Sequence, residues 1–209
     1  MAEVVIVDAV RTPAGRRNGA LSSVHPADLL GGALRALVER TGVDPGAIGQ
    51  VVTGCVSQVG EQSFNVGRTA WLAAGLPLSV PNSTVDTQCG SSQQATNLAA
   101  ALVAAGVVDV AVAAGVESMS RIPIGSNSKK ELGLGRAIPK SYFDRYELTS
   151  QFEGAERIAE RWGITRDDAD RFGLRSQQLA ARAWAAGRFD GQVHPVDAPV
   201  LSEEGRATG

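Results

Sequence analysis

The chain has 209 residues, of which 44% are apolar and 20% are charged, so it can bury a sizeable core as one large domain or two small ones. Its formal net charge of −2 lacks the basic excess that favours non-specific binding to nucleic acid or an anionic membrane, and we expect neither partner. Two cysteines are too few for a disulfide framework. His25 and His194 lie far apart and outside any metal-ligand spacing, so we also expect no metal site.

Runs of β-branched residues alternate with helical patterns along the first half of the chain. Strands are predicted over residues 4–10, 50–55, 82–86 and 107–114, and helices over residues 27–39, 65–74 and 90–105. Such alternation is typical of βαβ units, in which helices cover both faces of a mixed, mostly parallel sheet. The predicted fold class is therefore α/β, with its chemistry beyond the carboxyl ends of the strands.

From residue 121 onward, glycine, proline and small polar residues interrupt the pattern, which predicts a loop-rich excursion. Two helices follow within it, over residues 151–162 and from Thr165 to about residue 186. Thr165 followed by Asp168 predicts a capping box at the start of the second helix. Asp167 precedes Arg171 at i,i+4 spacing, which indicates a solvated, salt-bridged face rather than a phosphate site.

The first residues lack the basic stretch, apolar core and cleavage site of a signal peptide. Gly106, Asp109 and Gly115 interrupt the longest apolar stretches, so none is predicted to span a membrane. We therefore expect a cytoplasmic protein.

Cys89 is the candidate nucleophile, because residues 85–94 place its thiol where a predicted strand gives way to a helix of small residues. Unpaired amide N–H groups and the positive end of the helix dipole favour a thiolate at such a junction, and the same donors can receive an oxyanion. The alternative interpretation is an ordinary buried cysteine. The flanking residues favour the nucleophile.

Three residues are expected to support the active-site loop, namely Gly90, Glu117 and Met119. Glu117 is either a catalytic carboxylate or an acceptor of backbone hydrogen bonds that fixes the loop, and the second role is favoured. Met119 is expected to pack against its neighbours. Cys55, at the end of a predicted strand, is either a core residue or part of the same cleft.

The predicted helix after Cys89 has no polar face over residues 98–105. Such a pattern is typical of a helix that is buried on every side. Nothing else in the sequence clearly supplies a second sheet, so we expect another chain, or a segment that this chain lacks, to cover its outer face.

Three blocks of the sequence, in order and in spacing, resemble the thiolases, which are acyl-CoA:acetyl-CoA acyltransferases. The blocks are residues 5–13, residues 85–95 and residues 114–120, and the resemblance extends along essentially the whole chain. It implies the N-terminal half of a thiolase-like fold over residues 1–120 and a partial loop domain over residues 121–209. The family's second α/β half, with its histidine base and second reactive cysteine, is expected to be absent.

The resemblance implies acyl transfer between an acyl-CoA or 3-ketoacyl-CoA and CoA or acetyl-CoA, through an acyl-enzyme on Cys89. CoA thioesters would be substrates, and no permanently bound cofactor is expected. Turnover by this chain is expected to be impaired, because the family's base and second cysteine lie in the other half. Since thiolases are dimers or dimers of dimers, a homo-oligomer is expected for the full-length form.

Several residues depart from the commoner thiolase pattern. Asp86 and Thr87 stand where asparagine and arginine are common, and Gln151 and Phe152 stand where many thiolases have His-Met. We expect Gln151 and Phe152 to contact CoA or substrate. The departures are consistent with a bulky or unusual acyl group, such as an intermediate of steroid degradation, so the expected setting is fatty acid or steroid metabolism.

Three alternatives remain open. A β-ketoacyl synthase would share the fold and the cysteine, but it is expected to pair the cysteine with two histidines. A redox protein would need an exposed thiol of low pKa and a resolving partner such as Cys55. A non-catalytic interaction subunit would show no turnover.

Overall fold

The computed structural model describes residues 3–129, 131 and 133–202, and its contacts divide the chain into two compact units. The first unit is Met1–Lys129 together with Gln192–Gly209, and the second is Lys130–Gly191. The change of sequence character at residue 121 therefore precedes the boundary between the units. The assignment of residues 121–209 to a partial loop domain stays a prediction.

Within the described residues, the first unit is built on a parallel sheet of three strands. In spatial order they are β2 (Asn82–Val85), β1 (Gln50–Gly54) and β3 (Ala111–Gly115). In this register Gly54 lies beside both Val85 and Gly115. The three strands therefore end side by side at one carboxyl edge of the sheet.

Helices cover both faces of this sheet. They are α1 (Pro26–Thr41), α2 (Val66–Ala73) and α3 (Ser91–Ala104). A Cβ added to Gly67 of α2 would lie 2.0 Å from Thr53 Oγ1, whereas a Cβ added to Gly54 would lie 2.5 Å from the carbonyl carbon of Ser91 in α3. Successive strand residues point to opposite faces, so α2 and α3 lie on opposite sides of the sheet. The predicted α/β class is confirmed, and these elements match their predictions except that β3 begins later.

The strand predicted over residues 4–10 is wrong for the described chain. These residues form no strand, and Val5, Ile6 and Val7 are 67%, 82% and 80% exposed. An isolated parallel bridge joins the next residue, Arg11, to Val193. An apolar strand becomes buried only where other elements flank and cover it, and the described residues place none over this segment.

The hydrophobic core of the first unit lies where α1 and α2 pack on the sheet. Its largest members are Leu30, Leu34, Ile48, Val51, Trp71, Val80 and Val112. Trp71 is fully buried, and its indole N–H donates to the Pro77 carbonyl at 2.9 Å. His25 caps α1, because its Nδ1 accepts a hydrogen bond from the Ala27 N–H at 3.1 Å.

Within this chain the helix after Cys89 is buried along one side only, as expected if its outer face is covered from outside the chain. Ser91, Ala95 and Ala99 form the buried stripe of α3, at the i,i+4 spacing that faces the sheet. Ala101 is exposed and Leu102 is half-buried. The outer face of α3 therefore has no cover within the described residues, and the source of any cover stays a prediction.

The second unit contains α4 (Gln151–Trp162) and α5 (Arg166–Ala185), and both predicted helices are confirmed. The capping box is also confirmed, since Thr165 Oγ1 accepts from the Asp168 N–H and Asp168 accepts from the Thr165 N–H. Arg171 pairs with Asp168 at i,i+3, and not with Asp167 as predicted. No helix in the described part of the chain has both the length and the apolarity that crossing a membrane requires.

Two neighbouring glycines of α1 provide a test of how α1 packs against α2. A Cβ added to Gly31 would lie 2.9 Å from the Ala70 carbonyl oxygen, whereas one added to Gly32 would meet nothing within 4 Å. We expect Gly31→Ala to lower the free energy of unfolding by about 1–3 kcal/mol through overpacking against the backbone of α2. Gly32→Ala, its matched control, should raise that free energy by about 0.5–1 kcal/mol through helix propensity. Urea unfolding followed by circular dichroism measures both, and equal effects would contradict the α1–α2 packing.

Candidate active site

Cys89 lies at the carboxyl edge of the sheet, in the turn that connects β2 to α3, and its side chain is exposed. The turn is irregular, because Gln88 adopts a left-handed conformation with φ of 53°. Within the described residues, no hydrogen bond involves Cys89 Sγ. The alternative of an ordinary buried cysteine is therefore excluded within this chain.

Local hydrogen bonds hold the turn in place. The Asp86 carboxylate accepts from the Gln88 N–H at 2.7 Å. Ser91 Oγ accepts from the Thr87 N–H at 3.0 Å and donates to the Gln88 carbonyl at 2.6 Å. These bonds join the end of β2 to the first residue of α3 on either side of the thiol.

The first turn of α3 keeps backbone donors available beside the thiol. The first helical bond runs from the Gln94 N–H to the Gly90 carbonyl at 2.8 Å, and the N-cap Gly90 has no side chain to accept from the Ser92 and Gln93 amides that follow it. In the described part of the chain, the N–H groups of Ser92 and Gln93 have no acceptor. Such donors at a helix N-terminus stabilise an anion.

Two glycines at the ends of β1 and β3 let this first turn lie directly on the sheet. A Cβ at Gly54 would lie 2.5 Å from both the Ser91 carbonyl carbon and the Ser92 nitrogen. A Cβ at Gly115 would lie 1.9 Å from Ser92 Oγ. The helix that follows Cys89 therefore approaches two strand ends more closely than any other residue type would allow. Sequence reasoning missed Gly54, because its partner is remote in the chain.

A partly buried cluster lies at the same edge, beside the Cys89 turn. The Glu117 carboxylate accepts from the Val56 N–H at 2.9 Å and from the Ser57 N–H at 3.3 Å. Gln62, which sequence reasoning missed, is fully buried and donates from Nε2 to Glu117 Oε1 at 3.0 Å. Glu117 thus accepts backbone hydrogen bonds from a neighbouring loop, while its assignment to active-site support stays a prediction.

Cys55 belongs to this cluster as a buried thiol. Its Sγ lies 3.9 Å from Glu117 Oε2, and the side chain is 1% exposed. Burial, followed by the negative charges of Glu117 and Asp86, raises the pKa of the Cys55 thiol to about 12. The thiol therefore stays protonated near neutral pH.

The first unit contains a cavity that Cys89 does not line. It has a volume of about 760 Å³ and lies between residues 10–18, residues 113–120 and the side of α1. Met119 lines it and is 55% exposed, so the expected packing of Met119 is wrong within this chain.

Gln151 and Phe152 are the first residues of α4, in the second unit, and Phe152 is 77% exposed. Their contact with CoA or substrate stays a prediction. Among the described residues, no group of three His, Cys, Asp or Glu side chains is placed to hold a metal ion.

Comparison with known proteins identifies the family of this chain. Residues 4–208 match the family described as "Thiolase, N-terminal domain". The chain belongs to the thiolase family.

The thiolase assignment agrees with individual relatives. The chain is 43% identical to a steroid 3-ketoacyl-CoA thiolase of Mycobacterium tuberculosis, in a match that covers 98% of this chain and 53% of the relative. It is 41% identical to a β-ketoadipyl-CoA thiolase of Pseudomonas aeruginosa, over 93% of this chain and 51% of the relative. The crystal structure of the Bacillus anthracis acetyl-CoA acetyltransferase matches with a TM-score of 0.79 and 34% identity, over 98% of this chain and 55% of that one. The chain thus spans about half the length of the relatives it matches.

The two cysteines should differ sharply in reactivity. We expect iodoacetamide at a pH of about 8 to alkylate Cys89 and to leave Cys55 unmodified, because Cys55 is buried and only about one thiol in 10⁴ would be ionised at that pH. Peptide mass spectrometry measures both sites, and labelling in urea supplies the control in which Cys55 also reacts. Comparable labelling of both cysteines in the folded chain would contradict the described burial.

Proposed function

We propose that the protein is a thiolase-type acyltransferase in which Cys89 accepts the acyl group of a CoA thioester. In the half-reaction, Cys89 Sγ forms a bond to the thioester carbonyl carbon and the bond from that carbon to the CoA sulfur breaks. The proton of the Cys89 thiol passes to the departing CoA thiol, so the products are S-acyl-Cys89 and free CoA. With a 3-ketoacyl-CoA, Cys89 Sγ would bond to the C3 carbonyl carbon, the bond between C2 and C3 would break, and C2 would take up the thiol proton, giving S-acyl-Cys89 and acetyl-CoA.

The exposed thiol beside two unpartnered helix amides is the observation that carries this proposal. A tetrahedral intermediate on Cys89 places negative charge on the former carbonyl oxygen, and preorganised N–H donors stabilise that charge. Ser92 and Gln93 provide such donors in the turn of helix that directly follows the thiol. The family membership of the chain gives the same chemistry independent support.

The relatives narrow the proposed substrate class. Those named above are a steroid 3-ketoacyl-CoA thiolase and a β-ketoadipyl-CoA thiolase, so we propose a 3-ketoacyl-CoA thioester. Asp86 and Thr87 precede Cys89, and Asp86 fixes the turn through the Gln88 N–H. A bulky acyl group remains our interpretation of these residues and of Gln151 and Phe152. A homo-oligomer likewise remains a proposal.

The described residues provide a nucleophile and N–H donors that can stabilise an anion, but their contacts place no base at the thiol. His25 uses Nδ1 to cap α1, and no hydrogen bond to Cys89 Sγ occurs among the described residues. General acid–base help typically contributes about 10²- to 10⁴-fold to rate. We therefore expect the acyl adduct to form slowly on Cys89 and the chain to turn over poorly.

A redox function is less well supported. A resolving cysteine must attack as a thiolate. Cys55 is buried, and its pKa of about 12 keeps it protonated at neutral pH. The acyltransferase proposal uses the exposed thiol without requiring this partner.

Incubation with acetyl-CoA tests the proposal. We expect intact-mass spectrometry to show one added acetyl group, and peptide mapping to locate it on Cys89. Cys89→Ala should abolish the adduct, whereas Cys55→Ala, the matched control, should retain it. A chain that is oxidised at Cys89 but never acetylated would support the redox alternative, and a chain that shows neither would support a non-catalytic subunit.

A variant that adds an N-cap side chain at the start of α3 tests the role of the unpartnered Ser92 and Gln93 amides. In Gly90→Ser, the new hydroxyl can accept from the Ser92 or Gln93 N–H and compete with an oxyanion for that donor. We expect the free energy of unfolding to change by only a few tenths of a kcal/mol, while acetylation slows by about 10- to 10³-fold. Gly90→Ala, which adds a Cβ without an acceptor, is the control. Equal acetylation rates in Gly90→Ser and Gly90→Ala would contradict the proposed use of these donors.

A further inference from the structure

Gln62 connects two loops that follow different strands. Its Nε2 lies 3.0 Å from both the Ser57 carbonyl and Glu117 Oε1, and its Oε1 accepts from the Ser118 N–H at 2.8 Å. The side chain is fully buried. Both ends of one amide are therefore used to join the loop after β1 to the loop after β3.

Glu117, which is itself exposed, reinforces the same connection with a negative charge. Its two oxygens accept from consecutive amides, those of Val56 and Ser57, as well as from Gln62. Charge-assisted hydrogen bonds of this kind are stronger than neutral ones. The backbone amides of Val56 and Ser57 are thus held directly by the Glu117 carboxylate.

The segment of residues 55–57 is hydrogen-bonded in turn to β2, the strand that precedes Cys89. The Cys55 N–H donates to the Val85 carbonyl at 3.1 Å, and the Val116 N–H donates to the Gly54 carbonyl at 3.1 Å. Val85 is the last residue of β2, immediately before the turn that carries Cys89. A displacement of residues 55–57 would therefore move the starting point of that turn.

We propose that Gln62 and Glu117 are positioning residues, which set the place of the Cys89 turn by bracing residues 55–57 against the end of β2. Neither side chain is required to touch the acyl group. This inference rests on the proposed acyl transfer for its kinetic consequence, while its structural consequence is independent of it. A reaction that needs its nucleophile placed within a fraction of an ångström is sensitive to such a brace.

We call the contacts of Gln62 and Glu117 with residues 55–57 and 118 the brace. Two variants weaken the brace in different ways. Glu117→Gln keeps the shape of the side chain but removes its charge and turns an amide nitrogen toward a backbone donor. Gln62→Met keeps the length but leaves the Ser118 N–H and the Ser57 carbonyl without their partner.

Gln58→Ala is a milder third variant at an exposed position, because Gln58 Nε2 donates to the Cys55 carbonyl at 3.1 Å. The structural control is Trp71→Phe, which removes a buried hydrogen bond from the core formed by α1, α2 and the sheet.

Hydrogen exchange and acetylation, measured on the same chains, separate positioning from stability. We expect Glu117→Gln and Gln62→Met to accelerate exchange of the Gln88 and Ser91 amides by about tenfold or more, with a smaller change in Gln58→Ala. Acetylation by acetyl-CoA should slow by about 10- to 100-fold in the two stronger variants. Trp71→Phe should lower the thermal midpoint and leave both readouts at their original values.

The possible results distinguish the positioning role of Gln62 and Glu117 from the proposed acyl transfer. Exchange at the turn that rises equally in Trp71→Phe and Glu117→Gln would overturn the positioning role, as would unchanged acetylation in Glu117→Gln. A chain that is never acetylated but shows selective exchange in the brace variants would overturn the proposed function and leave the brace in place. The Gln58→Ala result decides the matter if Glu117→Gln and Gln62→Met fail to fold.

Discussion

The site depends on the contact between the first turn of α3 and the ends of two strands. Gly54 and Gly115 lie side by side in the sheet, and neither has room for a Cβ beneath Ser91 and Ser92. Interiors are packed densely enough that a single added methyl group forces backbone to move. The absence of two side chains therefore sets the height of the helix above the sheet, and with it the place of the turn before the helix.

The features that the sequence predicted well are those with local causes. The capping box of α5 needs only Thr165 and Asp168, three residues apart, and the structure contains it as predicted. The junction that carries Cys89 was predicted in the same way, from a strand pattern followed directly by a helix pattern, while the catalytic role of Cys89 stays a prediction. Exposure of its thiol and the free amides of Ser92 and Gln93 agree with that local reasoning.

The failures share a different cause, which is dependence on residues far away in the chain. Residues 4–10 are apolar enough to be buried, but an apolar pattern states only that cover is needed and not what supplies it. Gln62 gave no signal at all, because its importance arises from Ser118, which is 56 positions later. No periodicity or spacing rule connects two such residues before the sheet has brought them together.

The empty N-cap of α3 has a consequence for how the site responds to charge. An uncapped helix start would ordinarily fray, but Gly54 and Gly115 let the sheet support this one from below. The amide dipoles of Ser92 and Gln93 are consequently fixed in direction before any substrate arrives. Water around a solute must turn to meet a new anion, whereas fixed dipoles need not, so the proposed acyl transfer would spend little reorganisation energy at this helix start.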